Sequence, residues 1–416
     1  MEKREPYPLI ELTAETPFER GVQYGQQAAD RIAVCVEYYK ESFRKQGFTW
    51  DQAQEYAMGY LPVVEAQMPE ILEEARGLAA GCGRSLEEIM AVNCRYEISK
   101  LSGPGKRAGG KGDGPAETSA GTENVRQETE TAAGTENVRQ GPETAAGFGE
   151  TCQGSGNGSG MPDVSLEDCT TAAILPEASL GGKTYAVKNW DFFEKIMDHI
   201  VLLRIRTKEY SAIGWTEAGQ MPREGFNSFG VAIVNNGMQS IHDHYGAGLP
   251  VTFLRRRVLA SRSFEEAAGL VKNFRRCVSN NIMLVGHKGQ VLDVEVQPDK
   301  MDQIHSQGGI LTHANHFVMD PAADAFPERP KVRDVRLMEL LAKRRGDIDV
   351  SYIMECMKDH EYWPKAICSH PTFAGDRRTY IPAGITVASM IVDFAENTAY
   401  ICSGPPCEGE YIAYHL

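Results

Sequence analysis

The chain has 416 residues, 42% hydrophobic and 24% charged, with a net charge of −14. That is ordinary globular composition, and the acidic balance argues against nucleic acid or an anionic membrane as partner. No apolar run approaches the roughly 20 residues of a membrane span.

The polar opening Met1-Glu2-Lys3-Arg4-Glu5-Pro6 lacks the apolar stretch of an export signal, so a cytoplasmic location is expected. Ten cysteines are scattered along the chain without a Cys-x-x-Cys pair. They are expected to be mostly reduced, buried thiols.

Phe18, Val22, Ala29, Ile32, Val36, Tyr39 and Phe43 recur at three- and four-residue spacing, which predicts an amphipathic helix over 17–47. Gly21 and Gly25 near its start suit close helix packing. A second helical region is expected over 50–80. A third starts at Ser85-Leu86-Glu87-Glu88, a capping-box pattern, and carries Asn93, Cys94, Arg95 and Glu97.

From about 103 to 165 the chain turns Gly-, Thr-, Glu- and Ala-rich. Ala120–Gln127 recurs as Ala133–Gln140. Such a tract cannot bury enough apolar surface to offset its ordering entropy. The expected organisation is a helical part over 1–102, a disordered low-complexity insertion over 103–168, and a part carrying the catalytic core over 169–416. The first and last would build one composite domain.

After the insertion the chain becomes β-rich. Strands are expected at 170–175 and 183–190 around Gly181-Gly182, then at 199–206, 211–215 and 230–236. Helices follow at 250–261 and after Ser263. A hairpin spans 282–286 and 290–296. Helices at about 331–343 and 350–358 lead to a last hairpin, 385–393 and 398–402, turning at Glu396-Asn397. Hairpins interrupted by helix pairs predict an α+β fold with helices outside antiparallel sheets.

Cys169 stands where the low-complexity tract meets the first of these strands. A nucleophile-type residue at that junction suggests self-cleavage before it. Cleavage at Asp168–Cys169 would give Cys169 both a thiol and a free α-amine. The amine's ordinary pKa of about 7.7–8.0 lets it take a proton near neutrality, and the thiolate attacks. Asn189-Trp190-Asp191 ends the neighbouring strand, where Asp191 can lie near the new amine. Asn235-Asn236 ends another strand, where an amide can donate to an oxyanion. His242, His244, His313 and His316, with Asp243, offer a rival metal-dependent site. Cys94 is the rival nucleophile, set mid-pattern in an expected helix.

These residues together resemble the acyl-coenzyme A:6-aminopenicillanic acid acyltransferase family of N-terminal-nucleophile hydrolases. The matching motifs are Arg20-Gly21 with Tyr24-Gly25, Asn93–Glu97, Cys169–Ala172, Asn189–Phe192, Gly225–Gly230, Gly248-Leu249-Pro250, His313-x-Asn315-His316-Phe317 and Gly404–Glu408. Each is weak alone, but their order and spacing are specific. The likeness covers nearly the whole chain outside 103–165.

The resemblance implies a four-layer αββα fold and autocatalytic cleavage at Asp168–Cys169. It implies Cys169 as nucleophile, Asn236 rather than Asn235 as oxyanion donor, Asp191 as acidic partner, and Thr171 in processing and substrate contact. It implies no cofactor and no metal. The substrate class is a small acyl amide, peptide or thioester, acyl-coenzyme A among them. The two cleaved chains would stay together.

Two departures stand out. The family has Gly before the nucleophile, where this chain has Asp168. The family's Ser-Arg pair after the Asn-His-Phe motif is replaced by Arg329-Pro330-Lys331-Val332-Arg333, so no arginine joins the expected catalytic set. Alternative readings are a hydrolase of the choloylglycine or acid-amidase type, and a self-processed binding protein without activity.

Overall fold

The computed structural model describes residues 4–100, 168–246, 248–373, 380–381 and 384–416. Nearly all of the expected insertion, 103–168, lies outside the described residues; only Asp168 falls within them. The N-terminal part holds strand β1 (Leu9–Leu12) and helices α1 (Pro17–Gln27), α2 (Ala29–Lys45), α3 (Trp50–Met58), α4 (Leu61–Gln67), α5 (Pro69–Cys82), α6 (Leu86–Asn93) and α7 (Arg95–Ser99).

After Asp168 come β2 (Asp168–Ile174), β3 (Tyr185–Phe192), β4 (Ile200–Arg206), β5 (Ser211–Glu217), β6 (Glu224–Asn227) and β7 (Val231–Gly237). Helices α8 (Val251–Val258) and α9 (Phe264–Asn273) precede β8 (Asn280–Gly286), β9 (Val291–Val296), β10 (Met301–Ile304) and β11 (Ile310–His313). Helices α10 (Arg333–Ala342) and α11 (Val350–Cys356) follow. The chain then runs through β12 (Thr372–Phe373), β13 (Tyr380–Ile381), β14 (Ile385–Asp393), β15 (Thr398–Ser403) and β16 (Tyr411–His415).

Two sheets carry the architecture. One has the order β1-β4-β5-β6-β7-β8-β9-β10, the other β11-β2-β3-β14-β15-β16. Each strand alternates its side chains between two faces, and both faces of each sheet are covered. Ile10, Val201, Leu203, Ile233 and Leu284 pack with Ile32, Val36, Leu72 and Ile89 of the N-terminal helices. Cys169, Trp190, Trp215, Phe226, Val234 and Met390 fill the space between the sheets. Ala172, Ile174, Tyr185, Val187 and Ile391 meet Leu337, Leu341 and Ile353 of α10 and α11. Helix, sheet, sheet, helix is the four-layer αββα order that the resemblance implies.

Local chemistry explains where the elements differ from expectation. The expected helix over 17–47 is two, because Ala28 (φ −112°, ψ 11°) leaves the helical region between α1 and α2. The region over 50–80 is three helices. α4 and α5 each carry proline in their first turn, where its missing N–H costs nothing and its ring would break a longer helix. The Ser85 capping box forms as expected. Its helix stops at Asn93, so Cys94 is a buried residue between two helices rather than one inside a helix.

Gly21 and Gly25 serve close packing. A Cβ on Gly21 would run into the Glu74 carbonyl oxygen of α5, and one on Gly25 into that of Leu78. Gly21→Ala should therefore lower the unfolding free energy by about 1–3 kcal/mol, the usual cost of overpacking. Urea denaturation measures this, and an unchanged midpoint would contradict the close approach of α1 and α5.

Candidate active site

The Asp168–Cys169 bond lies inside a sheet, because β2 already begins at Asp168 and runs between β11 and β3. Asp168 stands opposite Asp191, and Cys169 opposite Trp190. Thr171 stands opposite His313 of β11. Both Asp168 and Cys169 are buried.

The two-residue period sorts these side chains. Cys169, Ala173 and Trp190 point into the space between the sheets, so Thr171 shares the face of the thiol. Asp168 and Asp191 project from the other face, toward the α10–α11 layer. Asp191 therefore stands near the strand end where the Cys169 amide lies, with the sheet between its carboxyl and the thiol.

The residues around the bond are tightly bonded. The Cys169 amide donates to Asn315 Oδ1 at 2.5 Å, and Asn315 Nδ2 donates to the Gly237 carbonyl at 2.8 Å. Arg333, the first residue of α10, sends Nη2 to Asn315 Oδ1 (2.7 Å), to Asp168 Oδ1 (3.2 Å) and to the Cys169 carbonyl (3.5 Å). Lys365 Nζ donates to the other Asp168 oxygen at 2.8 Å.

Arg333 and Asn315 are the residues that sequence reasoning left out. Asn315 sat in a quoted motif without a role. Arg333 sat in the segment where the family match breaks.

Electrostatics split the two acids. Burial pushes the Asp168 carboxyl up, but Arg333 and Lys365 outweigh it and hold the group well below the usual carboxylate range. Burial dominates at Asp191 and pushes its carboxyl up to about 7, against the pull of Arg333 and a hydrogen bond from Thr386, with Asp168 adding to the rise. Asp191 Oδ1 accepts from Thr386 Oγ1 at 2.6 Å, while Oδ2 has no hydrogen-bond partner among the described residues. Two neighbouring carboxyls with separated affinities for protons are a common sign of acid–base chemistry.

Asn236 lies on β7 of the facing sheet. Its Nδ2 donates to Thr171 Oγ1 (2.8 Å) and to Asn281 Oδ1 (2.7 Å). Both amide protons are thus engaged, and an oxyanion at this place would take over the position of the Thr171 hydroxyl. Asn235, one residue before, faces the other way and pairs with Asn280.

Among the described residues, Thr170 Oγ1, Asn189 Oδ1, Asp191 Oδ2, Asn236 Oδ1 and Arg333 Nε are buried without a hydrogen-bond partner. A cavity of about 320 Å³ lies against Asp168, lined also by Phe326, Glu328, Arg329, Pro330, Arg333 and Lys365.

The rival metal site does not assemble. His313 Nδ1 faces the Ala314 carbonyl at 2.7 Å and Nε2 faces Glu295 at 2.9 Å. Among the described residues, His242, His244, His313 and His316 join no common ligand cluster. Burial lowers the His313 pKa, but Glu295 and Asp293 outweigh it and raise it to about 9. That imidazole ties the motif to β9.

Four αββα layers, with the candidate nucleophile opening a sheet strand, are the architecture of the N-terminal-nucleophile hydrolase class. The chain belongs to the acyl-coenzyme A:6-aminopenicillanic acid acyl-transferase family, whose profile matches residues 179–407. It is 23% identical over 406 residues to the acyl-coenzyme A:6-aminopenicillanic-acid-acyltransferase 40 kDa form of Emericella nidulans, covering 96% of this chain and 93% of that one.

Among solved structures it is similar to a penicillin V acylase from Agrobacterium tumefaciens (14% identity, TM-score 0.41, 56% of this chain and 83% of that one). It is also similar to a Caenorhabditis elegans ortholog of N-acylethanolamine-hydrolyzing acid amidase (15% identity, TM-score 0.38, 54% and 93%).

Arg333→Met should destabilise the uncut chain by about 3–5 kcal/mol, because it leaves a buried carboxylate short of its partner. The Asp168 carboxyl is depressed in the folded state, so its contribution is present above its ordinary value of 3.8 and is lost as pH falls below it. Denaturation of both proteins across pH should show the gap narrowing in acid. A gap that widens in acid would contradict the ion pair.

Proposed function

We propose that this protein cuts itself between Asp168 and Cys169 and then acts as a cysteine amidohydrolase or acyltransferase through an acyl-Cys169 intermediate. The observation that carries this reading is the bonding around Cys169. Its backbone nitrogen is already held by Asn315, and the same oxygen can hold the free amine after cleavage.

Maturation begins when the Cys169 sulfur attacks the Asp168 carbonyl carbon. The C–N bond breaks, and the nitrogen takes the thiol proton and becomes the Cys169 amine. Water then hydrolyses the Asp168 thioester, giving Asp168 a terminal carboxylate and restoring the thiol. The Arg333 guanidinium, which binds the Asp168 side chain, keeps that chain end anionic and in place.

In turnover the α-amine takes the thiol proton, and the thiolate attacks the acyl carbonyl of the substrate. Asn236 stabilises the oxyanion, with Thr171 as the neighbour whose hydroxyl yields that position. The amine returns its proton to the leaving group. Water or an amine then takes the acyl group from sulfur. Asp191, near the strand end, supports the ammonium form through charge rather than through contact with the thiol.

The cavity beside Asp168 suits the substrate. Asp168 lines it, so cleavage after Asp168 would free one part of its wall to move. Its lining mixes Arg329, Arg333 and Lys365 with Asp168 and Glu328, so it offers partners to both the donors and the acceptors of an acyl group. This supports a small acyl amide, peptide or thioester as the substrate class.

A thiol-reactive acyl probe should label Cys169 in the mature protein, read by peptide mass, and a chromogenic amide or thioester should give a burst of product. Absence of both from mature protein would contradict catalysis and favour a binding role. Asn236→Ala should lower turnover by roughly 10²–10³, the cost of one oxyanion donor. Full activity in that variant would move the role to Asn235 or to backbone amides. Asp191→Asn should slow both cleavage and turnover, and normal rates in it would remove Asp191 from the mechanism.

A further inference from the structure

Four metal-ligating side chains converge that include none of the four imidazoles of the rival site. His360, Cys368, His370 and Cys407 bring one ligand atom each to within 4.8 Å of one another. His360 Nε2 and His370 Nε2 are 3.2 Å apart, and Cys368 Sγ and Cys407 Sγ are 3.6 Å apart. His370 Nε2 lies 3.6 Å from Cys368 Sγ and 3.1 Å from Cys407 Sγ.

Zinc–sulfur bonds of about 2.3 Å and zinc–nitrogen bonds of about 2.0–2.1 Å at tetrahedral angles put ligands about 3.3–3.8 Å apart. Four of the six separations fall within about 0.5 Å of what that geometry requires, and the two from His360 to the sulfurs are within 4.8 Å. We propose that His360, Cys368, His370 and Cys407 form a tetrahedral zinc site that clips the 357–371 segment to the C-terminal turn at 404–409.

Mixed thiolate and imidazole ligands select zinc among common divalent ions. Four protein ligands leave no open position, so the site is structural. Binding releases two thiol protons to solvent and leaves an uncharged centre. Glu408 Oε1 stands 3.6 Å from His370 Nδ1, where a carboxylate aims the other ring nitrogen at a metal. The cluster of Cys35, His199 and Glu217 offers no such centre, because Glu217 already accepts from Tyr39, Arg95 and Arg223.

The clip would hold groups that matter next door. Lys365 binds Asp168. The Ser369 amide donates to Thr386 Oγ1, which in turn donates to Asp191. Asn189, two residues before Asp191, donates to the carbonyls of Met357 and Ile367. The zinc site itself does not rest on the proposed catalysis and is read without any activity.

Full-length protein isolated under reductant should contain one zinc per chain by elemental analysis. Exchange with cobalt should give the d–d absorption of a tetrahedral site and a thiolate charge-transfer band. Cys407→Ser with His360→Ala should lose at least nine-tenths of the zinc, and Cys82→Ser should keep it. Zinc removal from the wild type by a chelator should raise amide hydrogen exchange over 357–371, which avoids any folding defect of the variant. Wild type that takes up neither zinc nor cobalt would overturn the proposal. So would full zinc content in the double variant, or a Cys368–Cys407 disulfide in freshly isolated protein.

Discussion

The buried ion pair between Arg333 and Asp168 is the interaction on which the site depends. A carboxylate closed away from water is stable only beside a partner with good geometry. Here the partner does more than neutralise. The same Nη2 reaches Asn315 Oδ1 and the Cys169 carbonyl, so one guanidinium ties together the acid, the amide acceptor and the carbonyl that flank the Asp168–Cys169 bond. Arg333 opens α10, which packs on the outer face of the β2 sheet. The outer helix layer thereby fixes the geometry of a bond inside the sheet. Replacement of the family's glycine by Asp168 is consistent with this arrangement, because the added side chain has two cations waiting for it.

The same low-dielectric setting keeps Asp168 ionised and pushes Asp191 up to about 7. The difference lies in partners rather than burial. Asp168 has Arg333 and Lys365 at hydrogen-bond distance. Asp191 has a neutral hydroxyl on one oxygen and, among the described residues, no hydrogen-bond partner on the other. One acid is thus a fixed anchor, and the other can change its charge near neutral pH. A new ammonium group at Cys169 would add to the pull of Arg333 and Lys365 on Asp191.

Much of this was legible in the sequence for reasons that can be named. Alternating and near-continuous apolar runs gave away β2, β3, β7 and β14, and the Ser85 and Ser263 caps marked α6 and α9. The proline breaks at α4 and α5 were readable too, but helical periodicity continues across them and hid the division. Motif order pointed to Cys169, Asp191 and Asn236. Arg333 escaped because its contact to Asp168 spans 165 residues and its local spacing departs from the family. The side of the sheet on which Asp191 sits follows from strand period, but only once its register with Cys169 is known. The zinc ligands escaped because Cys407 comes from a separate turn, and no Cys-x-x-Cys pair announces them.

The most direct test is the intact mass of the purified wild-type protein, beside that of Cys169→Ala. The account predicts two associated chains in the wild type, the smaller ending at Asp168 or the larger beginning at Cys169, and one chain of 45.9 kDa in the variant. An uncut wild-type chain with full amidase or acyltransferase activity would contradict it, because no free α-amine would then stand beside the thiol.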